Sequence, residues 1–372
     1  MGLKQGRMEN MVTDSFSGFY KGRKIFLTGH TGFKGSWMLA LLNLLGARVN
    51  GYALVPDENK NALYNVIGGD KICKSVIADI RDKEELKKAV VSAQPDIIIH
   101  MAAQPLVRYS YENPVETFEV NTIGTANLLE AVKLLQKKCS VIIVTTDKVY
   151  ENKEWDKAYR ETDRLGGYDP YSASKAAAEI VVDSYRNSFF NIADYHVHQK
   201  AIASARAGNV IGGGDWSADR IIPDLIKALQ NDQAISIRNP GAVRPWQHVL
   251  DPVAGYLLLA RKLYENPADF SGAWNFGPAS DATFSVIDLV EKTIEVWGGG
   301  HYIIAGSADQ PHEAGLLKLD IKKSVEQLGW KPKLATDASI KYTIEWYKSN
   351  EKEALTYSQL ENYFNSPVHR NE

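Results

Sequence analysis

Short uninterrupted apolar runs alternate with longer stretches in which apolar residues recur every three to four positions. "RKIFLTG" reads as a buried strand, and "SWMLALLNLLGA" after it reads as a helix that stops at Gly46. "ARVNGYALV" resumes as strand, and "KSVIADI" (strand), "KEELKKAVVSA" (helix), "DIIIHMAA" (strand), "VETFEVNTIGTANLLEAVKLLQKK" (helix) and "SVIIVTT" (strand) continue the series. Strands this apolar must be covered on both faces. The pattern therefore predicts an α/β fold built on a parallel sheet between two layers of helices.

Beyond residue 200 the texture changes. "GNVIGGGDW", "RNPGAVRPWQ" and "NFGPASD" place Gly/Pro-rich loops between shorter elements, the texture of a substrate-facing half. "AIASARAGNVI" and "GAWNFG" still read as strands that return to the first sheet. The organisation expected is an N-terminal extension over 1–23 and a cofactor domain over 24–203, to which 204–212 and 248–278 return. A smaller interleaved substrate domain covers 213–247 and 279–350, and a C-terminal tail covers 351–372.

Composition narrows the partner. The 372 residues suffice for one large or two interleaved domains. Lys plus Arg number 43 against 45 Asp plus Glu, a net charge of -2 without a dense like-charged cluster, which argues against nucleic acid and membrane and for a small molecule. Cys73 and Cys139 have neither metal nor redox spacing, no segment is apolar enough to span a bilayer, and residues 1–23 lack a signal-peptide pattern. A cytoplasmic protein is expected.

"TGHTGFKG" joins the first strand to the first helix with Gly29, Gly32 and Gly35 at three-residue intervals. Glycines at this junction let backbone amides approach a pyrophosphate at a helix N-terminus, so a dinucleotide is expected there. Asp57 and Glu58 are the nearby acids that could hold a ribose, and Asp79 and Ile80 border the adenine. Lys34 could favour an extra phosphate or point to solvent; the reading leans to NAD over NADP. "YDPYSASK" then sets Tyr171 and Lys175 four apart on one helical face. A tyrosine with a pKa near 10 needs roughly 4 kcal/mol of phenolate stabilisation to act near pH 7, which a lysine and a cationic cofactor can supply.

The sequence resembles the extended short-chain dehydrogenase/reductases that act on nucleotide sugars. The motifs are "GHTGFKG", "ADI", "HMAAQ", "VNTIGTANLLEA", "TTDKVY", "YSASK", "RAGNVIGGGDW" and "RPWQHVLD", spread over about residues 22 to 350. "GHTGFKGSW", "TTDKVY" and "RAGNVIGGGDW" together look like the members that 4,6-dehydrate CDP-glucose. The resemblance implies a Rossmann-type doubly wound sheet, a smaller nucleotide-sugar domain, and a homodimer or higher homo-oligomer built on two long helices. It implies NAD held by Gly29, His30, Gly32, Phe33, Lys34, Gly35, Asp79, Ile80, Ala102, Ala103, Gln104, Asn121, Thr145, Tyr171 and Lys175. The implied product is a 4-keto-6-deoxy sugar nucleotide for the deoxysugars of surface polysaccharide such as lipopolysaccharide O-antigen.

In such a dehydratase Tyr171 takes the C4 hydroxyl proton, Thr146 bonds the same oxygen, and Lys175 supports the tyrosine. The elimination of water across C5 and C6 falls to Asp147 and Lys148. An aspartic acid that donates near pH 7 must stay protonated against a reference of about 3.9, and a lysine that accepts must lose its proton against about 10.4. A desolvated ion pair that collapses to two neutral partners would meet both demands, so which residue is acid and which is base stays open. The alternative is a partly buried salt bridge that only caps the strand.

For the sugar nucleotide, the resemblance implies Asn209 and Arg244 at the diphosphate, with Arg108, Arg220 and His312 as further contacts; Lys318 stands near a position where relatives carry arginine. His196 and His198 in "YHVHQ" share a face if extended, but they make an incomplete metal set, and no metal site is expected. Trp216 and Trp246 could wall the sugar or base, or pack in the core. Competing functions are a dTDP-sugar dehydratase, a nucleotide-sugar 4-epimerase and a dinucleotide-binding redox sensor.

Overall fold

The computed structural model describes residues 16, 18–237, 239–279, 284–304 and 317–365. Seven strands form the main sheet: β1 (Lys24–Thr28), β2 (Arg48–Ala53), β3 (Lys74–Ile77), β4 (Ile97–His100), β5 (Cys139–Val144), β6 (Lys200–Ala207) and β7 (Gly272–Phe276). Their order is β7-β6-β5-β4-β1-β2-β3, and every neighbouring pair is parallel. The larger helices are α1 (Phe33–Leu44), α2 (Lys83–Ala93), α3 (Gly124–Lys133), α4 (Pro170–Ser188), α5 (Ile221–Gln230), α6 (Leu250–Glu265), α7 (Thr336–Lys348) and α8 (Lys352–Asn365).

Side chains along each strand alternate between two cores. Ile25, Leu27, Ile97, Ile99, Ile142 and Val144 join one, with α1 and α6, while Phe26, Ile98, Val141 and Ile143 join the other, with α2 and α3. This period-two split explains why the central strands read as continuous apolar runs: every position of β4, β5 and β6 is buried. Strand order reverses between β1 and β4, so their carboxyl ends diverge and open a crevice. The glycine loop after β1 and the segment Met101–Gln104 after β4 border that crevice.

Several elements depart from the sequence reading. The long helical stretch from 115 to 138 is broken by a π-turn at Glu119–Ile123, and α3 ends at Lys133. Tyr195–His198 is a helical turn rather than extended chain, so His196 and His198 do not share a strand face. The described residues of the N-terminal extension reach the core: Phe16 and Tyr20 are buried, and the Tyr20 hydroxyl donates to the Leu257 carbonyl at 2.5 Å. The expected C-terminal tail contains α8, whose Leu360 and Tyr363 enter the same core. No described helix is long and apolar enough to cross a membrane.

Asp251 on α6 anchors this C-terminal addition. Its fully buried carboxylate accepts from the Lys333 amide at 2.7 Å and from the Tyr363 hydroxyl at 2.8 Å. Burial pushes its pKa up to about 6 against the pull of those hydrogen bonds. Because the folded value lies above the unfolded one, its contribution to stability is fully present below about pH 4 and is lost as pH rises through about 6. The unfolding free energy of the wild type should therefore fall relative to that of Asp251→Asn by about 2–3 kcal/mol between pH 4 and 6. Parallel urea-unfolding curves for the two proteins across that range would contradict the assignment.

Candidate active site

A cavity of about 1860 Å³ opens at the carboxyl ends of the strands and runs from the glycine loop to the segment 233–244. This exceeds the several hundred Å³ usual for one small ligand and leaves room for two, end to end.

The first half is built on the glycine loop. Gly29 has φ +73°, and a Cβ there would lie 2.7 Å from the Ala102 amide nitrogen; a Cβ on Gly35 would fall 1.9 Å from the Gly29 carbonyl oxygen. Only glycine fits at these two positions. Gly32 caps α1 without a side-chain hydrogen bond, which leaves the first helical amides available to an anion. Gly29, Gly32, Phe33, Lys34 and Gly35 line the cavity. His30 does not: its fully buried ring lies under Gly51, its Nε2 meets the Ser75 hydroxyl at 2.7 Å, and Tyr64 packs edge-on. The structure thus places the His30 side chain beneath the loop, away from the cavity lining.

Lys34 turns inward. Its pKa falls to about 7, first through burial and then through Arg220 and Lys175, with Asp147 and Asp215 opposing. At the far end Asp79 and Ile80 line the cavity, and the Asp79 carboxylate is gripped by Arg81 at 2.6 Å, which holds its pKa low. Asp57 and Glu58 are not among the lining residues. The wall beyond β2 is instead formed by Leu54, whose carbonyl accepts from Thr31 at 3.0 Å. Ala102, Ala103, Gln104 and Thr145 line the cavity as expected positions, whereas Asn121 is buried behind Gln104 and bonds that residue's amide and carbonyl.

The reactive side chains come from α4 and from the turn after β5. Asp169 caps α4 by accepting from the Ser172 amide at 2.9 Å, and Pro170 occupies the first turn. Tyr171 and Lys175 follow one turn apart and both line the cavity. Burial pushes the Tyr171 phenol up to about 12, and the neighbouring Thr146 hydroxyl draws it down. Burial draws Lys175 down to about 8, with Glu179 opposing, and its ammonium donates to the Val144 carbonyl at 3.3 Å.

Thr146 caps a 3-10 turn at Asp147–Val149 that sends successive side chains in different directions. Lys148 faces the cavity, whereas Asp147 lies behind the lining, 2 % exposed, with its carboxylate accepting from the Thr146 hydroxyl at 2.9 Å. Among the described ion pairs none joins Asp147 to Lys148. The expected collapsed ion pair is therefore corrected to two groups held apart, and the salt-bridge alternative falls with it. Gly208 makes room for the carboxylate, since a Cβ there would lie 2.9 Å from Asp147 Oδ2.

Sequence reasoning missed the pair that holds this wall together. Glu179, one turn beyond Lys175, and Arg206 on β6 are both sealed from solvent and joined by two parallel bonds of 3.0 Å. Glu179 also accepts from Thr145 at 2.6 Å and Ser204 at 2.7 Å, and Arg206 donates to the Tyr150 hydroxyl at 2.8 Å. The signal was present as a glutamate one helical turn beyond Lys175, but its partner is 27 positions away.

In the second half Arg108, Asn209, Arg220 and Arg244 line the cavity. Arg220 is braced by buried Asp215 at 2.7 Å, and Arg108 approaches Asp219 at 3.6 Å. Trp246 forms part of the wall, while Trp216 is outside the lining and donates to the Asn61 carbonyl. Lys318 is bound to Asp156 at 2.6 Å on the surface. His312 lies outside the described residues.

The chain is similar to known proteins over most of its length. The family model described as GDP-mannose 4,6 dehydratase matches residues 26–343. The chain is 46 % identical to the CDP-glucose 4,6-dehydratase of Salmonella typhimurium over 89 % of this chain and 92 % of that one. It is 26 % identical to dTDP-glucose 4,6-dehydratase 1 of Escherichia coli over 88 % and 94 % of the respective chains. In fold it is similar to the dTDP-glucose 4,6-dehydratase DesIV of Streptomyces venezuelae, solved with NAD and TYD bound, at a TM-score of 0.75 and 23 % identity over 89 % of this chain and 99 % of that one.

The contact between Gly208 and Asp147 makes a structural prediction. Gly208→Ala should swing the Asp147 carboxylate away from Thr146, a displacement that a crystal structure of the variant would reveal. A carboxylate still bonded to Thr146 would mean that the wall yields instead.

Proposed function

The chain belongs to the family of GDP-mannose 4,6 dehydratases, and from that premise we propose that it is a lyase that dehydrates CDP-glucose to CDP-4-keto-6-deoxyglucose with NAD as cofactor. The observation that carries this reading is the wall itself: a Tyr-Lys pair for carbinol oxidation stands beside an acid and an amine that point in different directions. Simple C4 inversion has no use for the second pair.

The cavity fits NAD. The glycine loop is a cradle that a Cβ would fill, and the uncapped amides of α1 open beside it. NAD held there would supply a hydride acceptor for C4 of the sugar and a hydride donor for C6, with no net oxidation. Tyr171 accepts the proton of the C4 hydroxyl, Thr146 holds the same oxygen, and the Lys175 ammonium adds positive charge one turn away. Arg220 already offsets part of the burial that keeps the phenol protonated.

The C4 ketone acidifies the hydrogen on C5. Asp147 and Lys148 divide the elimination between them: one removes that hydrogen as a proton and the other protonates the departing C6 hydroxyl, which leaves as water. Arg220, Arg244, Arg108 and Asn209 border the space for the diphosphate, where planar guanidinium groups make paired charge-assisted bonds.

The chain works as a homodimer. Val115, Phe118 and Ile123 ahead of α3 and Ile180 on neighbouring α4 are exposed apolar side chains that a second copy would cover. Two free cysteines support a cytoplasmic setting, where the product enters deoxysugar synthesis. Phe118→Glu should shift the sedimentation coefficient from dimer to monomer; a variant that sediments as the wild type does would remove this face from consideration.

NMR of the sugar after incubation with NAD in deuterated water, with CDP-glucose and dTDP-glucose in separate tubes, tests the reaction. A 4-keto-6-deoxy product carrying deuterium at C5 is expected from CDP-glucose alone, and no product from either sugar would refute the assignment. Tyr171→Phe should lower C4 oxidation by about a thousandfold. Asp147→Asn and Lys148→Met should spare it and trap reduced cofactor, seen as single-turnover absorbance.

A further inference from the structure

The sheet interior holds a hydrogen-bond chain that core packing does not require. Thr28, the last residue of β1, lies in register with His100, the last residue of β4. Both are buried, and the Thr28 hydroxyl meets His100 Nδ1 at 2.7 Å. An apolar pair would fill the same place without polar atoms to satisfy.

The proton positions follow from the partners. Thr28 Oγ1 accepts from the amides of Met101 at 3.0 Å and Ala102 at 3.1 Å, so its own proton goes to His100 Nδ1. His100 Nε2 must then carry the ring proton, which it donates to Thr125 Oγ1 at 3.2 Å, and Thr125 donates to the Asn121 carbonyl at 2.7 Å. Asn121 continues the chain: its side chain donates to Ser174 Oγ at 2.9 Å, and Ser174 donates to the Tyr171 carbonyl at 2.7 Å. Burial, aided by the Lys175 charge, draws the His100 pKa down to about 3, so one neutral tautomer persists through the working pH range.

The two ends of this chain are functional surfaces. Ala102, held by Thr28, is the residue whose amide nitrogen lies closest to where a Gly29 Cβ would be, under the mouth of the glycine loop. Tyr171 is the residue whose backbone receives the last bond. We propose that His100 is a positioning residue that ties the cofactor loop to the catalytic helix, one ring nitrogen serving each side. This rests on the reading of the cavity as an NAD site.

The two ring nitrogens can be separated by substitution. In His100→Asn the amide oxygen can still accept from Thr28 but the side chain no longer reaches Thr125; Thr125→Val cuts the helix side in a different residue of similar shape. Both should bind NAD as the wild type does in calorimetry. Both should show a C4-oxidation rate reduced about tenfold in single turnover, with faster amide exchange over 170–175 in the cofactor-free protein. His100→Leu should in addition raise the Kd for NAD about tenfold and speed exchange over 29–35.

Unchanged exchange and rates in His100→Asn and Thr125→Val would overturn the tie even if His100→Leu fails to fold. Lower melting temperatures with NAD affinity and oxidation rate intact would reduce His100 to a stability role and equally overturn it. Wild-type protein that binds no NAD would defeat the reading of the cavity instead, and amide exchange in the cofactor-free variants would still decide whether the tie exists.

Discussion

The buried pair of Glu179 and Arg206 is the constraint on which the cavity wall depends. A carboxylate and a guanidinium removed from water cost several kcal/mol each unless every bonding site is filled. Here the carboxylate accepts two bonds from Arg206, one from Thr145 and one from Ser204. The guanidinium also reaches Tyr150, whose hydroxyl donates to Asn275 at 2.7 Å. The pair thus joins the ends of β5, β6 and β7 to α4. Thr146, Asp147 and Lys148 hang from one side of this knot, and Tyr171 and Lys175 from the other, so their relative placement is a property of the network and not of any single loop.

Glycine contributes through absence. Gly29 and Gly35 let the first loop close on itself and on Ala102, and Gly208 lets the Asp147 carboxylate lie against β6. The run Gly212–Gly214 does the same for packing: a Cβ would strike Val249 and Phe33 at the first position, Trp346 at the second and Leu63 at the third. The loop can therefore pack directly on its neighbours, with α7 pressed against the segment that carries Asp215. Asp215 in turn braces Arg220 at the cavity.

Charges of both signs meet inside the cavity. Lys34, Lys148, Lys175, Arg108, Arg220 and Arg244 line it together with acids such as Asp79, Glu116, Glu151, Asp169, Asp215 and Asp219, so the lining as a whole is mixed in charge. The setting feeds back on the lysines themselves, because burial and the like charges of Arg220 and Lys175 together draw Lys34 to about 7.

The sequence by itself determined the alternating architecture, the glycine loop, the Tyr171–Lys175 spacing and the presence of an acid beside an amine, because each is written in local periodicity or in a short contiguous motif. The tertiary structure decided what those groups face. Asp147 and Lys148 are neighbours in sequence, yet a 3-10 turn sends one into the wall and the other into the cavity. His30 and Asn121 belong to cofactor motifs, but sheet register and the π-turn bury both as supports. Arg206 and Glu179, and Thr28 and His100, are partners only because parallel strands and crossovers bring distant residues together. α8 looked like a tail because its anchor, Asp251, is far away in the chain, and a buried carboxylate finds its donors only after the chain has folded.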